Sequence, residues 1–374
     1  MMRIGPGNLP LHRLITGILA ALMLMQPAVV HGQGSSRTIP VAFNAYHTAL
    51  APDGKTIAVA ADCRIYGTSD VVDPLLLPIE LIDLASGKIT QTLTGPQTDC
   101  VTSLAFSPDG SGLLSSHDNG QLNLWESASG KLLKSYQMPG FGLRNPEFFT
   151  DGKHVALLSA GSVVPIWIVD TETGYITASY GPTFKTFGSY SSSYTKFPAG
   201  GDVRFTTFEL SPDGKTIATA NYNDEIDLWD VATGKMTVLF QPADKKVDLA
   251  IPALRFTEDG KSLVYYHSQS GKLHVWDLAA KKEQNIALTG GASFALNSRG
   301  DTVAWIFKSQ VFTWDFQAEQ ATKVGDLDTA LHVQPTSVLY FTPDGKQLIV
   351  ANLAAISEME GKNQMYVISL PAAS

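Results

Sequence analysis

Ser211-Pro212-Asp213-Gly214-Lys215-Thr216-Ile217-Ala218-Thr219-Ala220, with Ile226-Asp227-Leu228-Trp229-Asp230 shortly after it, is the stretch that decides the fold. Proline presets φ, aspartate bonds back to the chain and glycine accepts φ > 0, so the first residues make a tight hairpin turn. The alternating apolar positions on either side of the turn are strands. The Ile-Asp-Leu-Trp-Asp run is a third strand of the same kind.

Working outward, the turn recurs as Ala51-Pro52-Asp53-Gly54-Lys55, Ser107-Pro108-Asp109-Gly110 and Thr342-Pro343-Asp344-Gly345-Lys346. Looser copies are Thr150-Asp151-Gly152-Lys153, Glu258-Asp259-Gly260-Lys261 and Asn297-Ser298-Arg299-Gly300. The third-strand pattern recurs at Leu122-Asn123-Leu124-Trp125, Leu273-His274-Val275-Trp276-Asp277 and Val311-Phe312-Thr313-Trp314-Asp315. Four of the six tryptophans occupy this slot, which marks them as core between repeats rather than binding aromatics. An Asp-x-x-x-Gly step then opens a fourth strand, as at Gly87-Lys88, Gly130-Lys131 and Gly234-Lys235.

The turn glycines are spaced by 56, 42, 62, 46, 40 and 45 residues, and the shorter steps fit about 40–45 residues for one four-stranded unit. Isolated hairpins cannot bury their apolar faces, so the seven units must close on one another. The expected fold is all-β: a seven-bladed β-propeller of four-stranded antiparallel blades, forming one domain over residues 33–374. The last blade ends on a third-strand pattern, Met365-Tyr366-Val367-Ile368-Ser369-Leu370. Arg37-Thr38-Ile39-Pro40-Val41-Ala42-Phe43 is therefore expected to supply its outer strand, an edge where Pro40 is tolerated.

The pattern resembles the WD40-repeat family, most specifically in the Trp-Asp pairs at 229–230, 276–277 and 314–315. The repeats are degenerate. Only His332 fills the family's histidine place ahead of the first strand, Gln97 stands there in blade 2, and Asn119, Asn223 and Ser270 replace the family's loop aspartate. Blade 1 (Ile79-Glu80-Leu81-Ile82-Asp83-Leu84) lacks the tryptophan and is similar to bacterial quinoprotein-like and surface-layer propellers. The resemblance implies protein or peptide partners.

Residues 1–13 contain two arginines and no acid, and residues 14–25 (LITGILAALMLM) are almost wholly apolar but too few to span a bilayer core of about 20 residues. This reads as a signal peptide over residues 1–32, cleaved after Gly32 or alternatively after Ala28, with an uncleaved anchor as the competing reading. Export to the periplasm or the cell exterior is expected, with no membrane insertion after cleavage. The chain of 374 residues has formal charge −8, and no Lys/Arg-rich run, so nucleic acid is not an expected partner. Removing the two arginines takes the charge from −8 to −8 − 2 = −10. The two cysteines cannot form a cysteine-rich scaffold. Cys63 and Cys100 map to one end of adjacent blades, and an oxidising compartment makes a disulfide between them the expectation.

No nucleophile elbow, phosphate-cradling loop or zinc-protease motif occurs. The histidines (His47, His117, His154, His267, His274 and His332) are assigned to different repeats, with no pair at ligand spacing. Neither a metal nor a cofactor is expected. Length variation falls at one end of the blades, in residues 64–78, 181–200 and 351–364, and insertions gathered on one face mark a binding face. The second of these is rich in Tyr, Ser and Gly, the composition of adaptable recognition loops, although its aromatics could equally form an ordered cover. The candidate binding residues are Arg64, Tyr66, Phe184, Lys185, Phe187, Tyr190, Tyr194 and Lys196. The expected function is that of an exported, monomeric, non-catalytic recognition scaffold. The alternative is an extracytoplasmic enzyme or small-ligand receptor using the central channel, which inward-pointing charges there would favour.

Overall fold

In blade 4 the Gly214 amide donates to the Ser211 carbonyl at 2.8 Å, and Asp213 Oδ1 accepts the Lys215 amide at 3.1 Å. The Ser211 hydroxyl donates to the same aspartate at 2.7 Å and accepts from the Thr216 amide at 2.9 Å. All seven turn glycines sit at φ between 65° and 72°, the left-handed region that glycine enters at little steric cost. Local chemistry therefore fixes each hairpin before any blade packs.

The computed structural model describes residues 30–31, 35–41, 45–61, 78–95, 99–159, 166–181, 205–221, 224–241, 251, 253–267, 272–287, 293–307, 309–316, 320–328, 331–355 and 364–371. These form seven antiparallel sheets, and no helix occurs among them. Blade 1 is Ala45–Leu50, Thr56–Ala61, Ile79–Asp83 and Lys88–Leu93. Blade 2 is Val101–Phe106, Gly112–His117, Gln121–Glu126 and Leu132–Gln137, and blade 3 is Leu143–Phe148, His154–Ser159, Ile166–Asp170 and Ile176–Tyr180. Blade 4 is Phe205–Leu210, Thr216–Asn221, Ile226–Asp230 and Met236–Phe240, and blade 5 is Ala253–Phe256, Ser262–His267, Lys272–Asp277 and Lys282–Ala287. Blade 6 is Phe294–Leu296, Thr302–Phe307, Gln310–Asp315 and Gln320–Asp326.

Blade 7 closes the ring as expected. Leu331–Phe341, Gln347–Ala355 and Gln364–Ser369 receive Ser36–Pro40 as an antiparallel outer strand, from Ser36 opposite Ile368 to Pro40 opposite Gln364. Ile39 is 1% exposed and packs with Ile57, Val59, Ile82, Ile349 and Val367, so the N-terminal strand also fills the seam between blades 7 and 1. The backbone of Val30–His31, inside the segment read as a signal peptide, pairs in parallel with Thr322 and Lys323 on the outer edge of blade 6.

The repeated tryptophans lie between blades. Trp125 joins Ala58, Ala60 and Ile79 of blade 1, and Trp229 joins Ala156, Ile166 and Tyr180 of blade 3. At the rim, outer strands reach across to the next blade: the Gln91 amide donates to the Ala128 carbonyl at 2.8 Å, and the Tyr180 hydroxyl to the Val231 carbonyl at 2.7 Å.

The hairpin turns form a second, inner ring. Gly54 lies against Pro343, Gly110 against Pro52, Gly152 against Pro108, Gly214 against Phe149, Gly260 against Pro212 and Gly300 against Thr257. The Ser298 hydroxyl completes the circle by donating to the Pro343 carbonyl at 2.9 Å.

One expectation is corrected. The first two strands of blade 7 are longer than the repeat pattern implies, with Leu331 opposite Ala355, so residues 351–355 are strand and only the rest of that insertion can be loop.

Candidate functional site

In each blade the first strand runs toward the hairpin-turn face and the second runs back. All long connections therefore leave from the opposite face. Ala61 and Ile79 carry residues 62–77, and Tyr180 and Phe205 carry the 182–204 insertion; Ala61, Ile79 and Tyr180 are buried, so these loops spring from fixed points. The candidates Arg64, Tyr66, Phe184, Lys185, Phe187, Tyr190, Tyr194 and Lys196 lie outside the described residues, as does Cys63. Cys100 is 4% exposed, next to the start of blade 2, and no free cysteine occurs among the described residues. His332 lies within the lengthened first strand of blade 7, its backbone opposite Ala354.

The strand-two position nearest the loop face carries a histidine in blade 2. His117 is fully buried, and Trp125 Nε1 donates to Ser115 Oγ at 3.0 Å, which lies 3.0 Å from His117 Nε2. Asn123 Nδ2 donates to the same nitrogen at 3.2 Å, while His117 Nδ1 faces the Asp99 carbonyl at 3.0 Å. A carbonyl can only accept, so this network assigns the proton to Nδ1 and leaves Nε2 as acceptor. Burial holds the His117 pKa below its ordinary value, in keeping with a neutral ring. A histidine at the end of the second strand thus does what the family's pattern places ahead of the first. Blade 4 keeps a shorter version, with Trp229 Nε1 donating to Thr219 Oγ1 at 3.1 Å. The Trp276 ring nitrogen in blade 5 is buried with no partner.

His267 and His274 belong to the same blade, which corrects their assignment to different repeats; their ring centroids are 5.9 Å apart. Glu283 Oε1 accepts from His274 Nδ1 at 2.8 Å and from the Tyr265 hydroxyl at 2.6 Å. No group of three His, Cys, Asp or Glu able to hold a metal occurs among the described residues.

The inner strands contribute a charged group that sequence reasoning missed. At the position five residues before the turn glycine, blades 3, 4 and 5 carry Glu147, Glu209 and Arg255, whereas blades 1, 2 and 6 carry Ala49, Ala105 and Ala295. Arg255 Nη1 donates to Glu209 Oε2 and to the Leu254 carbonyl, at 2.9 and 2.8 Å. Glu147 Oε2 accepts the Leu210 amide at 2.7 Å. Burial, then the Glu209 charge, pushes the Glu147 carboxyl well above its usual range. Arg255 is 45% exposed and Glu209 19%, so water reaches the trio. Its charges are nevertheless spent on one another across three blades. Laying the strands out from the turn glycines is the signal that would have found it: a charge in a slot that is alanine in blades 1, 2 and 6 and Tyr340 in blade 7.

Strand three carries another polar series two residues before the tryptophan slot. Glu80, Asn123, Asp227 and His274 occupy it in blades 1, 2, 4 and 5, with Ile82 in the tryptophan's place in blade 1. Glu80 Oε2 and Asn123 Oδ1 are buried and have no hydrogen-bond partner. Asp227 is 6% exposed, and burial, followed by the nearby Glu225 charge, pushes its pKa up to about 6.

Residues 87–126 match the family model described as WD domain, G-beta repeat. WD repeat-containing protein SL1-17 of Schistosoma mansoni is 26% identical over 180 residues, 48% of this chain and 52% of that protein. Telomerase protein component 1 of Rattus norvegicus is 22% identical over 308 residues, 73% of this chain and 11% of that one. NACHT domain- and WD repeat-containing protein 1 of Mus musculus is 23% identical over 231 residues, 55% and 14% of the two. The chain thus spans about half the length of the first of these and much less of the others. A chain in a crystal structure of the mitotic checkpoint complex superposes with a TM-score of 0.64, covering 93% of this chain and 97% of that one at 14% identity, a likeness of fold.

Proposed function

We propose, from its seven-bladed propeller fold and the match of residues 87–126 to the WD-domain model, that this chain is an exported, non-catalytic recognition scaffold binding a protein or peptide partner through its long-loop face. One observation carries the reading. The hairpin turns are uniform and packed against one another around one face, while every long connection leaves from the other. A face whose loops vary in length over a fixed ring is where binding specificity can change without cost to the fold. Binding energy is expected to concentrate in Arg64, Tyr66, Phe184, Lys185, Phe187, Tyr190, Tyr194 and Lys196. A Cys63–Cys100 disulfide at the root of the first loop belongs to the same proposal, supported by the burial of Cys100.

Replacing residues 181–200 by a short Gly-Ser linker tests the reading. The shortened chain should melt near the parent temperature, because surface loops change length at small entropic cost, and should lose the partners that the parent captures from envelope extract. Undiminished capture of the same partners by the folded variant refutes it. The Glu147–Glu209–Arg255 trio favours a second reading, a small ligand in the central channel. Glu209→Gln should then change ligand-dependent melting while leaving partner capture intact.

A further inference from the structure

Two oxygens of the strand-three series, Glu80 Oε2 and Asn123 Oδ1, are buried and unpartnered. Asp227, 6% exposed, is acted on by burial and by the like charge of Glu225. A buried carboxylate without a partner is costly, and so is retained where something other than folding requires it. Asp227 shares its strand face with Trp229, so it looks into the seam between blades 3 and 4. Glu80 shares its face with Ile82 and looks into the seam between blades 7 and 1, immediately after residues 62–77.

The approach to Asp227 is acidic. Asp224 and Glu225 precede it on the loop side, and Glu225 shares its face, holding Asn221 Nδ2 at 3.0 Å through Oε2. No lysine or arginine among the described residues acts on Asp227; the one neighbouring charge that shifts it is the like charge of Glu225. These acids do not converge as a metal cage. A single deep carboxylate behind a second acid suits instead a group that brings several N–H donors and one positive charge. A guanidinium suits it best, being planar and weakly hydrated. The chain's overall charge of −8 favours a basic partner in the same sense.

We infer that the seam between blades 3 and 4 receives a cationic side chain, arginine before lysine, presented by the protein partner, with Asp227 as the receiving carboxylate and Glu80 as its counterpart in the seam between blades 7 and 1. The inference rests on the loop-face reading for the position of the partner. The contact runs from acid in the ring to base in the partner.

The test uses the full chain and N-acetyl-arginine amide as probe, with N-acetyl-glutamine amide as the neutral control and sodium chloride to match ionic strength. The arginine probe should raise the melting temperature of the parent at pH 7.5, and the control should not. Its apparent affinity should be about tenfold weaker at pH 5, where a carboxyl titrating near 6 is mostly protonated. Asp227→Asn should fold, because it removes a buried charge, and should lose the response at both pH values. No response of the parent, an equal response of Asp227→Asn, or an Asp227-dependent response to calcium but not to the arginine probe each overturns the inference. The chain with residues 181–200 replaced separates the two readings. If it still captures the partners, the loop-face reading fails; if only the arginine response is missing from the parent, this inference fails alone.

Discussion

Replacing Ile39 by alanine removes the side chain through which the N-terminal strand grips both neighbouring blades. Ile39 is 1% exposed, packs against Ile57, Val59 and Ile82 of blade 1, and meets Ile349, Met365 and Val367 of blade 7. Isoleucine-to-alanine changes at fully buried sites cost about 2–5 kcal/mol, more when the surroundings cannot collapse into the space. Collapse is restrained here because Gly87 already lies close to the Ile39 side chain and the Arg37 guanidinium holds the Leu84 carbonyl across the same seam. A loss of about 3 kcal/mol corresponds to a melting shift of about 6 °C or more, at about 2–4 °C per kcal/mol for domains of 150–250 residues. Thr38→Ala, on the exposed side of the same strand, should shift the melt by less than about 1 °C. Hydrogen exchange gives a second readout: the Ile39 variant should lose amide protection in Gln364–Ser369, the strand Ser36–Pro40 pairs with. Equal melts for the two variants, with unchanged exchange in that strand, would show that the N-terminal strand is an ornament on an already closed ring.

Further expectations follow from the turns and the cysteines. Gly54→Ala should destabilise more than Gly345→Ala by at least about 1 kcal/mol in urea unfolding, because both sit at positive φ but a Cβ on Gly54 would meet Pro343 at 2.5 Å and one on Gly345 would meet nothing. Lys281 takes φ 51° where blades 1 to 4 have glycine, so Lys281→Gly should stabilise by about 0.5–1 kcal/mol in the same assay. Hydrogen bonds hold the turn aspartates below their ordinary pKa, Asp259 lowered to about 2 and Asp109, Asp213 and Asp344 also lowered. Their contribution is complete above the unfolded value near 3.9 and lost as pH falls through the folded values, so the melting temperature should drop between pH 4 and pH 2. Replacing these aspartates by asparagine should flatten that drop. Alkylation of denatured, unreduced protein should label neither Cys63 nor Cys100, and labelling of both would rule out the disulfide.

What the sequence made legible was what neighbouring residues settle between themselves. The Pro-Asp-Gly turns are determined within five residues, and the tryptophan slot repeats visibly because an indole between blades has few substitutes. Ring closure was legible too, since Met365–Leu370 reads as a third strand and Arg37–Phe43 as a strand ahead of blade 1 able to serve as its fourth. His117 was not, because its partners come from the backbone before blade 2, from its own strand and from the next one, and its position departs from the family's spacing. Glu147, Glu209 and Arg255 are separated by 62 and 46 residues and become neighbours only when three first strands are laid side by side. Asp227 stood inside the most diagnostic repeat and passed as an ordinary strand residue, because solvent exposure is not written into an alternating pattern.

The inner circle of turns has a bearing on how such a chain could change its size. Each turn leans on the one behind it, Gly54 on Pro343 and Gly110 on Pro52, in the same rotational sense all the way round. An open array of repeats can gain or lose a unit at either end and needs terminal caps to cover its exposed faces. A head-to-tail circle has no terminal unit and needs no cap, but its rotation per unit is set by the requirement to return to the start. Deleting one blade would ask every remaining contact to change its angle at once. Duplication of a blade, tolerable in an open array, would leave the last turn facing the wrong neighbour. Variation is left only the direction perpendicular to the ring, which is the direction in which the long loops grow.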